Sequence, residues 1–141
     1  MTAKEYLSQV RQCHHAIDRK RKQLDKARRN YKYITGISYD RDKIQTSPMD
    51  GLSEAVVNIV QLEQDVESVV FRYAFIIDRC VSMINGMDKE QHKNVLFERY
   101  VEEKDFETIA YEMHLSYYRI CHLHGEALQE FAKKYPEIAK R

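Results

Sequence analysis

Long hydrophobic runs are missing: none of the 141 residues belongs to a stretch of eighteen apolar residues, so no membrane-spanning helix is expected. Cysteine is scarce. Cys13, Cys80 and Cys121 are odd in number and far apart, which argues against a disulfide framework. Neither Cys13-His14-His15 nor Cys121-His122-Leu123-His124, the only Cys/His clusters, contains a C-x-x-C. Cys121 and His124 sit three apart on an expected helix, but structural zinc needs four ligands at matched spacing. With only four glycines, the chain offers no glycine-rich turn for an oxyanion site, and its carboxylates fall on solvated helix faces. No metal, no cofactor and no catalysis are therefore expected. Met1 to Val10 alternates polar and apolar residues rather than following a signal-peptide pattern, so the expectation is a cytoplasmic protein. A length of 141 residues suits one compact domain or a small domain with an extended appendage, and a composition 43% apolar and 32% charged suits neither a disordered nor a membrane-spanning chain.

Helical periodicity dominates what is present. From Thr2 to Tyr33, residues Ala3, Leu7, Val10, His14, Ile17, Arg21, Leu24, Arg28 and Tyr31 recur at alternating spacings of four and three. That is a heptad seam with polar substitutions. Such a helix would be roughly 45 Å long and needs a partner. Met1 to Tyr33 also holds ten Lys/Arg against three Asp/Glu, a balance of +7 that contrasts with +1 for the whole chain. These cations could form a phosphate-contacting face. The run Arg19-Lys20-Arg21-Lys22 points around the whole helix, however, which favours a solvated helix beside an acidic neighbour.

Turn and loop formers fill Ile34 to Gly51: Gly36, Asp40, Asp42, Ser47-Pro48 and Asp50-Gly51. A second long helix is expected over Leu52 to Asn85. Leu52, Val56, Ile59, Val66, Val70, Tyr73, Ile77, Cys80 and Ile84 form one stripe; Ala55, Leu62, Val69, Ile76 and Met83 form another beside it. Together they are wider than one partner helix can cover. The first helix should take one side. A second protomer, the C-terminal module or a host protein would take the other, and a homodimer is the economical choice.

Gly86 is expected to end that helix as a C′ residue, and Asp88 with Gln91 to open the next as a capping box. Val95, Leu96 and Tyr100 then form a roof, and Glu102-Glu103-Lys104 a short loop. The most informative stretch comes next. Asp105 is a good N-cap for a helix carrying Ile109, Ala110 and Met113 on one face. His114-Leu115 makes a turn, and Ser116 caps a second helix with Ile120, Leu123, Ala127 and Leu128 inward. Ala110 is small where two steeply crossing helices need close approach, and Leu115 plugs the turn. His114 stands at a turn position expected to be left-handed. This is a helix-turn-helix layout, and Phe131, Tyr135, Pro136 and Ile138 suggest a docked tail.

Phe97-Glu98-Arg99-Tyr100, Phe106-Glu107-Thr108-Ile109-Ala110, Ser116 and Ile120 together resemble region 4 of bacterial sigma factors. Extended through Tyr117-Tyr118-Arg119 and Leu123 to Leu128, the stretch is more similar still to phage and prophage late-gene transcriptional regulators of the autolysin-regulator type. The detailed match covers about the last third of the chain. The resemblance implies a sequence-specific regulator that acts on late-gene promoters with host RNA polymerase, in the cytoplasm of a bacterial host.

Helix geometry selects the candidate DNA contacts. Tyr117, Tyr118 and Arg119 occupy the first turn after Ser116, where a recognition helix reaches base edges, and His122 shares the outer face. Arg119 suits guanine, and a tyrosine suits a thymine methyl or a phosphate. Backbone N–H groups after Ser116 can hold a phosphate. Lys104 and Thr108 fall where the first helix would touch the backbone. Against strong binding, Asp88 to Arg141 holds eleven acidic and nine basic residues, a balance of −2, and Glu126 stands where the resembled family commonly has Arg.

The reading is an all-α protein: a long antiparallel, coiled-coil-like helical hairpin over residues 1–86, then a helix-turn-helix module over residues 87–141. Its partners would be double-stranded promoter DNA, host RNA polymerase and a second copy bound through the hairpin. The competing reading is a protein-interaction module that mimics or sequesters part of the transcription machinery without reading DNA.

Overall fold

The computed structural model describes the backbone of residues 1–40 and 48–140, and the side chains of residues 1–36 and 53–140. Among these residues the protein is all-α, the class expected. Two 38-residue helices, α1 (Ala3–Asp40) and α2 (Pro48–Asn85), are followed by α3 (Glu90–Leu96), α4 (Phe106–Glu112) and α5 (Tyr117–Lys134). A π-helical turn, Phe97–Val101, extends α3, and a 3-10 turn, Pro136–Lys140, closes the chain. No helix among the described residues is long and apolar enough to cross a membrane.

Both long helices outrun the loop expected over residues 34–51. α1 passes through Gly36 to Asp40, and α2 opens at Pro48. A single glycine costs a helix only about 1 kcal/mol. Proline is well suited to a first helical position, where its missing N–H would have no intrahelical partner. The rest of the expected loop, residues 41–47, lies outside the described residues.

The chain divides into two compact units, Met1–His14 with Tyr73–Arg141, and His15–Arg72. The sequence pattern places a boundary at 86/87 instead. Packing explains the difference. Tyr6, Leu7 and Val10 of α1 share one buried cluster with Cys80, Met83, Ile84 and Met87, and with Val95, Leu96, Ile109, Ile120, Leu123 and Phe131. Tyr6 and Cys13 belong to the buried face of α1, although the heptad seam passes over them.

In the His15–Arg72 unit, Leu24 and Ala27 are buried, while Arg21 and Arg28 of the expected seam are exposed. Ala27 takes the inner position and Arg28 reaches outward to Glu63 at 3.1 Å. This fits an α-helix, whose 3.6-residue turn drifts off a strict seven-residue repeat.

Two helix ends differ from expectation. Asp88 caps nothing: α3 begins after Lys89 without a side-chain cap, and the Asp88 carboxylate accepts from Lys134 Nζ at 3.1 Å. Gly86 does not need a left-handed backbone. It is required by close approach, because a Cβ there would stand 2.5 Å from the Tyr135 hydroxyl, which donates to the Met83 carbonyl at 2.8 Å. The tail containing Tyr135 and buried Ile138 is thereby held against the end of α2.

Candidate nucleic-acid interface

The helix-turn-helix is set by two side-chain caps. Asp105 accepts from the Thr108 N–H at 2.8 Å and opens α4; Ser116 accepts from the Arg119 N–H at 3.1 Å and opens α5. Hydrogen bonds from Thr108 hold the Asp105 carboxyl below the usual range, first through its side chain and then through its backbone. Between the helices His114 has φ 56°, the left-handed turn that the sequence suggests. The Leu115 N–H donates to the Ala110 carbonyl at 3.0 Å, and Leu115 packs against the core. A non-glycine residue in this conformation costs roughly 1–2 kcal/mol. His114→Gly is therefore expected to stabilise the protein by about 1 kcal/mol once the greater freedom of unfolded glycine is deducted. A higher urea midpoint at unchanged m-value would register the gain, and a fall would mean that the imidazole holds the turn.

α5 faces two ways. Ile120, Leu123, Ala127 and Phe131 are buried, whereas Tyr117, Tyr118, Arg119 and His122 are exposed. Tyr118, 72% exposed, lies against His122 with ring centroids 4.4 Å apart. These two residues, with Cys121, Gly125, Glu126 and Gln129, line a shallow depression along the outer face. Arg119 Nη1 lies 3.9 Å from Glu126 Oε1. Gly125 has open space where a Cβ would point.

The other candidate residues already have partners inside the protein. Tyr117 meets Phe106 edge-on at 6.4 Å, and its hydrogen bond with Cys121 raises its pKa. The Ser116 hydroxyl is the cap of α5, and the Thr108 side chain serves Asp105. Lys104 Nζ stands 2.6 Å from Glu98 and 2.8 Å from Glu112, which together hold it above the ordinary lysine range. Of the seven sequence candidates, the structure brings Tyr118, Arg119 and His122 together on one open face. It places Lys104, Thr108 and Ser116 in the scaffold, and Tyr117 between the two.

Sequence reasoning missed the cluster that holds α4 and α5 on the π-helical turn. The Arg99 guanidinium lies 4.4 Å over the Phe106 ring and donates to the Lys104 carbonyl at 3.1 Å. Tyr100, expected only as an apolar roof residue, places its hydroxyl 2.8 Å from His124 Nε2. Burial pushes His124 down to about 4, with Arg99 and Lys4 acting in the same direction, and pushes Tyr100 up to about 12. His124 is thus neutral near pH 7 and shares one hydrogen bond with the Tyr100 phenol through Nε2. The available signal was a tyrosine and a histidine on the inner faces of adjacent helices, both of which need polar partners when buried.

This burial makes stability depend on pH. The His124 pKa is near 6.5 unfolded and about 4 folded, so the unfolded chain binds more protons between those values. Stability is expected to fall as pH drops through this window, by about 1–2 kcal/mol after discounting for partial exposure. Urea melts at pH 7 and at pH 4.5 would measure it, and His124→Asn should flatten the slope.

Among the described residues, no group of three or more His, Cys, Asp or Glu is placed to hold a metal ion. Cys13 and Cys80 are buried free thiols, and burial pushes Cys80 up to about 11. Comparison of the chain with known protein families, characterised proteins and solved structures gives no match.

Proposed function

We propose that this chain is a sequence-specific DNA-binding regulator of transcription that acts by binding alone, with α5 entering the major groove. The observation that carries the reading is the open face of α5, where Tyr118, Arg119 and His122 stand together just after the Ser116 cap. This is the part of a recognition helix that reaches base edges, and arginine is the side chain best matched to guanine there. The likeness to sigma region 4 and to phage late-gene regulators supports a narrower version. In it the chain binds late-gene promoters together with host RNA polymerase in a bacterial cell.

The experiment is a titration of fluorescent genomic fragments, including the chain's own gene neighbourhood, at two salt concentrations. The expected result is tight binding to one fragment, weakened by salt. Uniformly weak binding to every fragment would overturn the reading.

A second reading has its own support. Lys104 is neutralised by Glu98 and Glu112, Arg119 lies beside Glu126, and the C-terminal module is acidic overall. A face with so few free cations suits a protein-interaction module that mimics or sequesters part of the transcription machinery. Retained capture of RNA polymerase by a DNA-silent protein would favour it.

A further inference from the structure

Within the His15–Arg72 unit, α1 is strongly basic: residues 15–36 hold eight Lys/Arg and two Asp. The run Arg19-Lys20-Arg21-Lys22 does point around the helix, but burial sorts it. Leu24 and Ala27 are buried and mark the inner face. At about 100° per residue, Arg19, Lys22, Lys26 and Arg29 fall within one stripe about 80° wide on the opposite face. All four are exposed, and exposed Tyr33 continues the stripe by one turn. Asp18 and Asp25 lie along one flank.

The acidic neighbour expected for these cations answers only a flanking one, since Arg28 pairs with Glu63 at 3.1 Å. Among the described residues, no carboxylate comes within ion-pair distance of Arg19, Lys22, Lys26 or Arg29. Like charges three and four residues apart repel and weaken a helix. A bound polyanion turns that repulsion into attraction. We propose that this stripe is a second nucleic-acid contact, one that holds the phosphate backbone of duplex DNA without reading its sequence. The four cations span about 15 Å of helix, a length over which a duplex presents roughly nine phosphates. An anionic membrane fits less well, because a helix lying on lipid turns an apolar face toward it. Here the aliphatic residues Leu24 and Ala27 face inward, and the stripe holds none. In naming DNA the inference rests on the reading of α5, but it stands on other residues. It also supplies positive charge that the acidic C-terminal module lacks.

The test uses the full chain and a short fluorescent duplex of unrelated sequence, titrated over a series of salt concentrations. Replacing Arg19, Lys22, Lys26 and Arg29 together with Gln should weaken binding at least ~30-fold at low salt. It should also make the slope of log affinity against log salt shallower by about 3–4. Circular dichroism should be unchanged, since the side chains are exposed and glutamine suits a helix. Lys22→Gln with Lys26→Gln should remove about 2 from the slope, whereas Arg21→Gln with Lys32→Gln, the same charge change on a flank, should remove less than about 1. Equal effects of the two pairs would overturn the inference, because net charge rather than the stripe would then set affinity. So would a quadruple variant that binds as the wild type does, or tighter binding to equimolar phosphatidylserine and phosphatidylcholine vesicles than to the duplex. The two DNA readings fail separately. Loss of the stripe should lower affinity for every fragment and keep the preference among them, whereas loss of Arg119 should remove the preference and keep the salt slope nearly intact.

Discussion

Replacing Arg119 with alanine is expected to reduce affinity for the cognate fragment by roughly 10- to 100-fold, while binding to unrelated DNA changes little. The effect belongs to base reading because the Arg119 backbone, not its side chain, completes the Ser116 cap; the alanine variant keeps that hydrogen bond. Glu126 supplies the companion experiment. Its carboxylate lies 3.9 Å from Arg119 Nη1 on the face that would approach phosphate. Glu126→Gln should therefore strengthen binding, by about 3- to 10-fold, since it removes a repelling charge and a competitor for the guanidinium. Fluorescence anisotropy on matched and scrambled fragments separates the outcomes. If Arg119→Ala leaves both curves in place, α5 does not read DNA, and the interaction-module reading gains.

The largest expected loss of stability comes from Phe131→Ala, at roughly 3–5 kcal/mol. Phe131 is fully buried, with its ring 6.5 Å from Tyr6 and 5.0 Å from Tyr135. It thus touches the first turns of α1 and the C-terminal tail from the inner face of α5. Removing it opens a cavity that helices fixed at several other contacts close only in part. Total stability of a domain is about 5–15 kcal/mol, so such a loss would approach unfolding. Phe131→Leu fills most of the space and should cost about 1–2 kcal/mol. Chemical denaturation of both variants gives the comparison. Equal losses would mean that shape at this position, rather than volume, is what the core requires.

These two residues mark what the sequence makes legible. Inward Ile120, Leu123 and Ala127, the caps at Asp105 and Ser116, and the left-handed His114 obey local rules that act within one or two turns. The structure repeats them without change. The reason for glycine at position 86 is not legible, because it lies in Tyr135, far along the chain. Nor is the partner of Asp88, which is Lys134 rather than the backbone of α3. Lys104 and Thr108 are sensible choices as phosphate contacts by position. Their side chains prove to be engaged by Glu98, Glu112 and Asp105, and no spacing rule weighs a neighbour's carboxylate against an absent phosphate.

The π-helical turn at Phe97–Val101 gives the chain a place where its length matters. The Glu102 N–H reaches back to the Phe97 carbonyl, so this turn holds one residue more than an α-helical turn would. Deleting a residue there would let the segment rewind as regular α-helix, with better backbone geometry than before. It would also rotate one side of the turn against the other by about 100°, carrying Tyr100 away from His124 and Arg99 away from Phe106. A shorter chain would make a better helix and a worse socket for α5. Alignments of this protein with its descendants should accordingly tolerate substitutions across the turn far more readily than a gap in it.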